Sequence, residues 1–84
     1  MDKMLRYLQK SDIGNVLRTK AKKVLALEPY IDEEERKIAW NAGEILPLLG
    51  KIKTNGDIVV RSRKTGLDYV VNKTLAEAML IEKI

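Results

Sequence analysis

The spacing of the apolar residues changes near Gly50, and this change constrains the fold more than any other feature of the sequence. Before Gly50, apolar residues recur every three or four positions, the spacing of one helix face. After it they alternate with polar residues, as in a strand with one covered face. The sequence therefore predicts an α+β fold: three N-terminal helices, a small antiparallel three-stranded meander and a C-terminal helix. A chain of 84 residues is expected to form a single domain, residues 1–84.

The three N-terminal helices are predicted over residues 2–9, residues 12–27 and the segment from Asp32 to about residue 49. Pro29 ends the second helix, because the residue before a proline is driven out of the helical region. In the third helix, Asp32 and Glu35 have the spacing of a capping box. Pro47 lacks an amide hydrogen, so a break or kink is expected at that point.

The first turn of the meander is at the Asn55-Gly56 pair, which supplies the positive φ angles of a two-residue hairpin turn. Strands are predicted over residues 51–53, 57–63 and 67–72. Thr74 and Glu77 form a second capping box, which starts a helix over residues 74–84. This last helix is apolar nearly all round, so it either packs wholly across the domain or contacts a partner.

The side chains used most often for proton transfer and covalent catalysis are missing. The chain contains no histidine and no cysteine, which excludes Ser-His and Cys-His nucleophile pairs, disulfides and thiolate zinc sites. The carboxylates of residues 32–35 could hold a hard cation such as magnesium, but consecutive spacing spreads them around a helical turn, so we interpret them as a helix start. We expect no enzymatic activity, no metal, no cofactor and no small-molecule substrate.

The location is expected to be cytoplasmic. No apolar run of the length of a signal peptide follows Met1, and no stretch approaches the roughly 20 apolar residues of a membrane span. The absence of cysteine agrees with a reducing compartment. A membrane partner is not expected.

Charge is segregated along the chain. The net charge is +4, but residues 1–23 and 51–84 are basic whereas residues 24–50 are acidic. Clusters of basic side chains neutralise phosphates and release counterions, while basic residues near a helix end can also simply be solvated. The candidate nucleic-acid-binding residues are Arg18, Lys20, Lys22, Lys23, Arg61, Arg63 and Lys64.

One pattern resembles a helix-turn-helix followed by a wing. An apolar and a small residue, Ile38 and Ala39, precede the turn glycine Gly43 at the usual offset, with Leu49 and Ile52 beyond. The following hairpin resembles the wing of winged-helix proteins and carries the basic residues of positions 61–64 at its tip. The resemblance covers roughly residues 32–72. The segment at the place of the recognition helix, residues 44–53, lacks the polar face that groove reading needs.

Two hypotheses for function follow. The first is a small nucleic-acid-binding regulator, with DNA favoured over RNA, that acts by occupancy. The alternative is a protein-interaction module, such as a small inhibitor or adaptor, that uses the C-terminal helix and the Trp40 region. A homodimer contact through the C-terminal helix is expected and is compatible with either hypothesis. The interface candidates are Trp40, Leu75, Met79 and Leu80, although aromatic residues such as Trp40 are more often part of a core.

Overall fold

The computed structural model describes residues 5–83, which form a largely antiparallel β fold. The strands are short except for one, and the two helices are single turns or little more. In chain order the elements are β1 (Leu5–Tyr7), α1 (Lys10–Ile13), β2 (Val16–Leu17), β3 (Lys23–Ala26), β4 (Tyr30–Asp32), β5 (Lys37–Trp40), β6 (Ile45–Ile52), β7 (Ile58–Arg61), β8 (Asp68–Val71), α2 (Lys73–Met79) and β9 (Leu80–Lys83).

Seven of the strands form one sheet in the order β1-β8-β7-β6-β3-β9, with β2 also paired to β6. The eight-residue strand β6 connects the two halves of the sheet. One edge of β6 pairs with β7, and its other edge pairs with β3 in its first half and with β2 in its second half. Strands β4 and β5 form a separate two-stranded hairpin.

The sheet has an inner and an outer face. The inner face carries alternate residues such as Val24, Leu46 and Val60, which belong to the main apolar core together with residues of the β4–β5 hairpin and α2. The outer face carries the intervening residues. There a smaller cluster of Ile52, Val59 and Val70 lies beneath Leu8, Val16 and Leu49. Every described buried side-chain nitrogen or oxygen has a hydrogen-bond partner.

The predicted three N-terminal helices are wrong. Residues 12–27 contain only the end of α1 and the strands β2 and β3, and residues 37–52 form β5 and β6. In β3 the side chains of Val24 and Ala26 are buried while Lys23 is exposed, which is the alternation of a strand. Pairing with β6 and β9 satisfies the backbone of β3, and this tertiary pairing outweighs the weak helical spacing. The predicted helix over residues 2–9 lies partly outside the described residues, and the described part contains β1.

The capping box predicted at Asp32 is half right. The amide of Glu35 donates to the Asp32 carboxylate at 3.1 Å, as a capping box requires. The turn then closes a hairpin instead of opening a helix, with Arg36 at a φ of 54°. Without a helix over residues 32–49 there is no helix-turn-helix, and the winged-helix resemblance does not hold.

The second half of the chain agrees better with the sequence prediction. The strands expected over residues 57–63 and 67–72 are present as β7 and β8. Gly56 has the positive φ expected of the turn but Asn55 does not, and the amide of Gly56 donates to the carbonyl of Ile52, so the predicted two-residue turn is a longer one. The last helix begins close to the predicted position, with the Asn72 side chain accepting from the Thr74 amide. It ends at Met79, and Leu80–Lys83 continue as β9 beside β3, so the prediction of helix over residues 80–84 is wrong where the chain is described.

Gly50 allows two segments to approach closely. The register of β6 against β7 shifts between Leu48 and Gly50, and β2 packs against β6 at this point. A Cβ atom on Gly50 would collide with the carbonyl oxygen of Leu17 and lie 2.7 Å from a methyl carbon of Val16. A glycine is therefore required for β2 to pair with β6.

Neither helix in residues 5–83 has the length and apolar character to cross a bilayer.

Candidate nucleic-acid interface

Two of the candidate basic residues, Lys23 and Arg61, lie on the outer face of the sheet. Lys23 pairs with Pro47 across β3 and β6, and Leu48 pairs with Val60 across β6 and β7. Arg61 therefore follows Val60 on the opposite side of β6, level with Pro47. Since neighbouring strands lie about 4.8 Å apart, the Cα atoms of Lys23 and Arg61 are about 10 Å apart. Both side chains are exposed.

Arg61 is held in place by Asp68. Its Nε and Nη2 atoms donate to the two carboxylate oxygens of Asp68 at 2.7 and 3.2 Å. The hydrogen bond to Asp68, and then its charge, raise the pKa of Arg61. The arginine side chain remains 52% exposed, so the pair contributes little to stability. Its effect is to fix the direction of the guanidinium and to offset part of its charge.

Three further candidate residues lie beside Lys23. Arg18, Lys20 and Lys22 are exposed and belong to the segment that leaves β2 and enters β3. The carbonyl of Lys22 accepts from the amide of Leu48 at 2.9 Å, which ties this segment to the edge of β6. The backbone at Lys22 is thus next to Leu48 on one edge of β6, and Val60, which precedes Arg61, pairs with Leu48 on the other edge. These residues are in a strand and its connection, rather than on a helix as the sequence predicted.

Arg63 and Lys64 lie in the turn between β7 and β8. Ser62, which is 1% exposed, fixes this turn. Its hydroxyl donates to the Ala39 carbonyl at 2.6 Å and accepts from the amides of Lys64 and Thr65. The acidic turn of residues 33–36 lies next to the β7–β8 turn, because Glu35 shares a hollow with residues 66–68. Arg63 and Lys64 therefore belong to a turn that neighbours an acidic turn.

The four candidates for a protein interface contribute to the core. Trp40 is fully buried, Met79 and Leu80 are each 6% exposed, and Leu75 packs against the same cluster. The Trp40 indole donates to the Glu28 carbonyl at 3.0 Å. In the folded domain Trp40, Met79 and Leu80 have almost no surface to offer a partner, whereas Leu75 is partly exposed.

Sequence reasoning missed a polar network centred on Asp32. This carboxylate is 2% exposed. The Tyr69 hydroxyl donates to it at 2.6 Å, and the Tyr7 hydroxyl lies 2.7 and 2.8 Å from its two oxygens. Because the single Tyr69 proton is used on Asp32, the Thr65 hydroxyl, 2.9 Å away, is the donor to Tyr69. No local pattern marks this network, since its members come from distant parts of the chain.

The network keeps Asp32 ionised and the tyrosines neutral. Burial raises the pKa of Asp32, but hydrogen bonds from Tyr69, Tyr7 and the turn amides outweigh it, so its pKa lies below the ordinary value. The hydrogen bond to Asp32 is the largest cause that raises the pKa of Tyr7. For Tyr69, burial comes first and the same hydrogen bond second. The two tyrosines belong to a cluster of four aromatic rings, in which contacting rings have centroids 5.1 to 5.8 Å apart: Tyr7, Tyr30, Trp40 and Tyr69.

Within residues 5–83, no three or more potential ligand side chains converge in a way that could hold a metal ion. The carboxylates of residues 32–35 serve the hairpin turn and the tyrosine network instead. No protein-family model, curated protein or solved structure matches the chain.

Proposed function

We propose that this domain binds nucleic acid through phosphate contacts on the outer face of the sheet. The observation that supports this most directly is the register that places Lys23 and Arg61 on one face about two strands apart. Arg18, Lys20 and Lys22 extend the positive surface at the edge of β6. The net charge of +4 adds a favourable long-range field.

Binding on this surface is electrostatic. Each phosphate neutralised by lysine or arginine releases condensed counterions, so affinity falls as salt rises. In residues 5–83 the two helices have four and seven residues, too short to lie along a major groove as a recognition helix does. The domain therefore reads the backbone rather than base edges, and acts as a cytoplasmic regulator by occupancy. We expect the domain to bind DNA more tightly than RNA.

A binding titration tests the proposal. Anisotropy of labelled duplex DNA, single-stranded DNA and RNA should show binding at low salt, with log affinity decreasing linearly as log salt increases. Duplex DNA should bind most tightly, and unrelated duplex sequences should bind within a few-fold of one another. Absence of binding to all three polymers at low salt would remove the proposal.

A protein-interaction module is the second candidate, and an exposed aliphatic row favours it. Leu25 pairs with Ile45 on one side and Ile81 on the other, so the three side chains lie side by side on the outer face. Ile45 is 40% and Ile81 49% exposed. The candidates for such an interface are then these three aliphatic residues, instead of Trp40, Leu75, Met79 and Leu80. Light scattering tests self-association: a dimer that Ile81→Ser dissociates would support this candidate, and a strict monomer would exclude the homodimer.

A further inference from the structure

A cleft of about 750 Å³ lies between β1 and the β4–β5 hairpin. Its walls include the rings of Tyr7 and Tyr30 and the carboxylate-bearing residues Glu33 and Glu34, and Tyr69 also lines it. We call it the tyrosine cleft. None of the seven candidate nucleic-acid-binding residues lines it.

The aromatic rings of the tyrosine cleft have fixed orientations. Tyr7 and Tyr30 are each half-buried, so part of each ring faces the cleft. Both pack against the buried Tyr69, at centroid distances of 5.5 Å for Tyr7 and 5.7 Å for Tyr30, the latter in an edge-on arrangement. The face of an aromatic ring carries negative potential and attracts cations. Rings already held in place lose little conformational freedom on binding.

The carboxylates that line the tyrosine cleft are negative, as is the electrostatic potential at the faces of the aromatic rings. The pKa of Tyr30 is raised first by burial and then by the carboxylates of Asp32, Glu33 and Glu34, so the negative potential of the turn reaches the ring. The cation on the rim, Arg6, is already paired. Its guanidinium donates to both oxygens of Asp12 at 2.7 and 2.9 Å, which offsets its charge.

We propose that the tyrosine cleft binds a lysine or arginine side chain of a partner polypeptide. Ring faces and carboxylates both favour a cation, and both disfavour a phosphate. A metal ion is a poorer match, because aromatic faces offer no ligand atoms and the Asp32 oxygens are already engaged by two hydroxyls and an amide. The cleft volume exceeds that of one side chain, which leaves room for flanking peptide.

The test uses a short peptide of alternating lysine and glycine and a copy in which every lysine is acetylated. Binding to the full chain is measured by isothermal titration at low and moderate salt. The lysine peptide should bind at least about tenfold more tightly than the acetylated copy, because acetylation removes the cation. Equal affinity of the two peptides, or no binding of either, would overturn the proposal.

Variants separate this site from general charge attraction. Glu33→Gln should weaken binding several-fold, whereas Glu77→Gln, the same charge change elsewhere, should not. Tyr30→Leu should weaken binding about threefold and Tyr30→Phe less than twofold, since phenylalanine keeps the aromatic face. Equal losses in the two carboxylate variants would overturn the proposal, as would full affinity in a folded Tyr30→Leu variant.

A measurement on the unmodified chain covers the case in which Tyr30→Leu does not fold. Nuclear Overhauser contacts should appear between the lysine ε-methylene protons of the peptide and the ring protons of Tyr7 or Tyr30. Contacts of those protons with residues of the outer face, and none with the tyrosine rings, would overturn the proposal.

Discussion

The Tyr69 hydroxyl donates to the carboxylate of Asp32 at 2.6 Å, across 37 residues of sequence. This bond joins the β4–β5 hairpin to β8 of the main sheet. Tyr7 from β1 donates to the same carboxylate, so three separate segments meet at one buried charge. The hairpin, which pairs only with itself, is thereby fixed over the inner face.

Asp32→Asn should lower the free energy of unfolding by about 2–3 kcal/mol, because hydrogen bonds to a charged group are worth roughly twice those to a neutral one. The amide also brings two donors into a site whose neighbours are donors. Urea unfolding measures the change. Glu33→Gln removes the same charge at an exposed neighbour and should change stability by less than about 0.5 kcal/mol. Equal stability of Asp32→Asn and the unmodified chain would contradict the account.

The contribution of Asp32 to the free energy of unfolding should disappear in acid. Its pKa is lowered in the folded state, so the folded state favours the ionised form. The stability it provides is therefore fully present above the unfolded-state value of about 4 and is lost as pH falls through the lower folded value. Urea unfolding between pH 3 and 7 should show the gap between the unmodified chain and Asp32→Asn narrowing below about pH 4. A gap that stays constant would contradict this assignment.

The sequence predicted the second half of the fold because its signals are local. Asn55-Gly56 predicts a hairpin, and the runs of β-branched and aromatic residues at 58–60 and 69–71 favour strands whatever lies around them. In the first half the deciding interactions are distant. In β3 the buried Val24 alternates with the exposed Lys23 because β6 and β9 pair with this strand on its two sides. The spacing of apolar residues along the sequence does not show which strands will be neighbours.

The same distinction applies to the candidate sites. The basic residues were found from composition, but their common surface depends on the register of β3 and β7 against β6. The Asp32 carboxylate was singled out for a local reason, the turn amide of Glu35, which is present. Its tyrosine partners are 25 and 37 residues away, beyond any local pattern. The large apolar side chain of Trp40 is typical of core residues and of interface residues, so the sequence alone does not distinguish the two.

Asp68→Asn should strengthen DNA binding. Asp68 now accepts two hydrogen bonds from Arg61, and its negative charge lies on the proposed phosphate-binding face. Removing this charge should raise affinity about two- to fivefold at low salt, with the gain shrinking as salt rises. Glu77→Gln makes the same change in net charge on α2 and should have a smaller effect. Weaker binding by Asp68→Asn would show that the ion pair is needed to orient Arg61.

Gly50→Ala should destabilise the domain by about 1–3 kcal/mol, the usual cost of forcing atoms into a packed site. The added methyl would collide with the Leu17 carbonyl, so β2 must move away from β6. Thermal unfolding followed by circular dichroism measures the loss. Gly14→Ala is the matched control, because a Cβ there meets nothing within 4 Å and its φ of −69° is open to any residue. Equal stability of the two variants would contradict the pairing of β2 with β6.

The phosphate-binding face is tested most directly by comparing two double variants with the same loss of charge. Lys23→Gln with Arg61→Gln removes two cations from the outer face. Lys37→Gln with Lys53→Gln also removes two exposed cations. Lys37 belongs to the separate β4–β5 hairpin, and Lys53 follows β6, six residues and about 20 Å from Pro47, the residue opposite Lys23. The measurement is the slope of log affinity for duplex DNA against log salt. The first variant should lower the magnitude of the slope by about 2, one for each lost phosphate contact, and the second should leave it nearly unchanged. Equal slopes in the two variants would mean that net charge alone attracts DNA, and the outer face would not be the binding site.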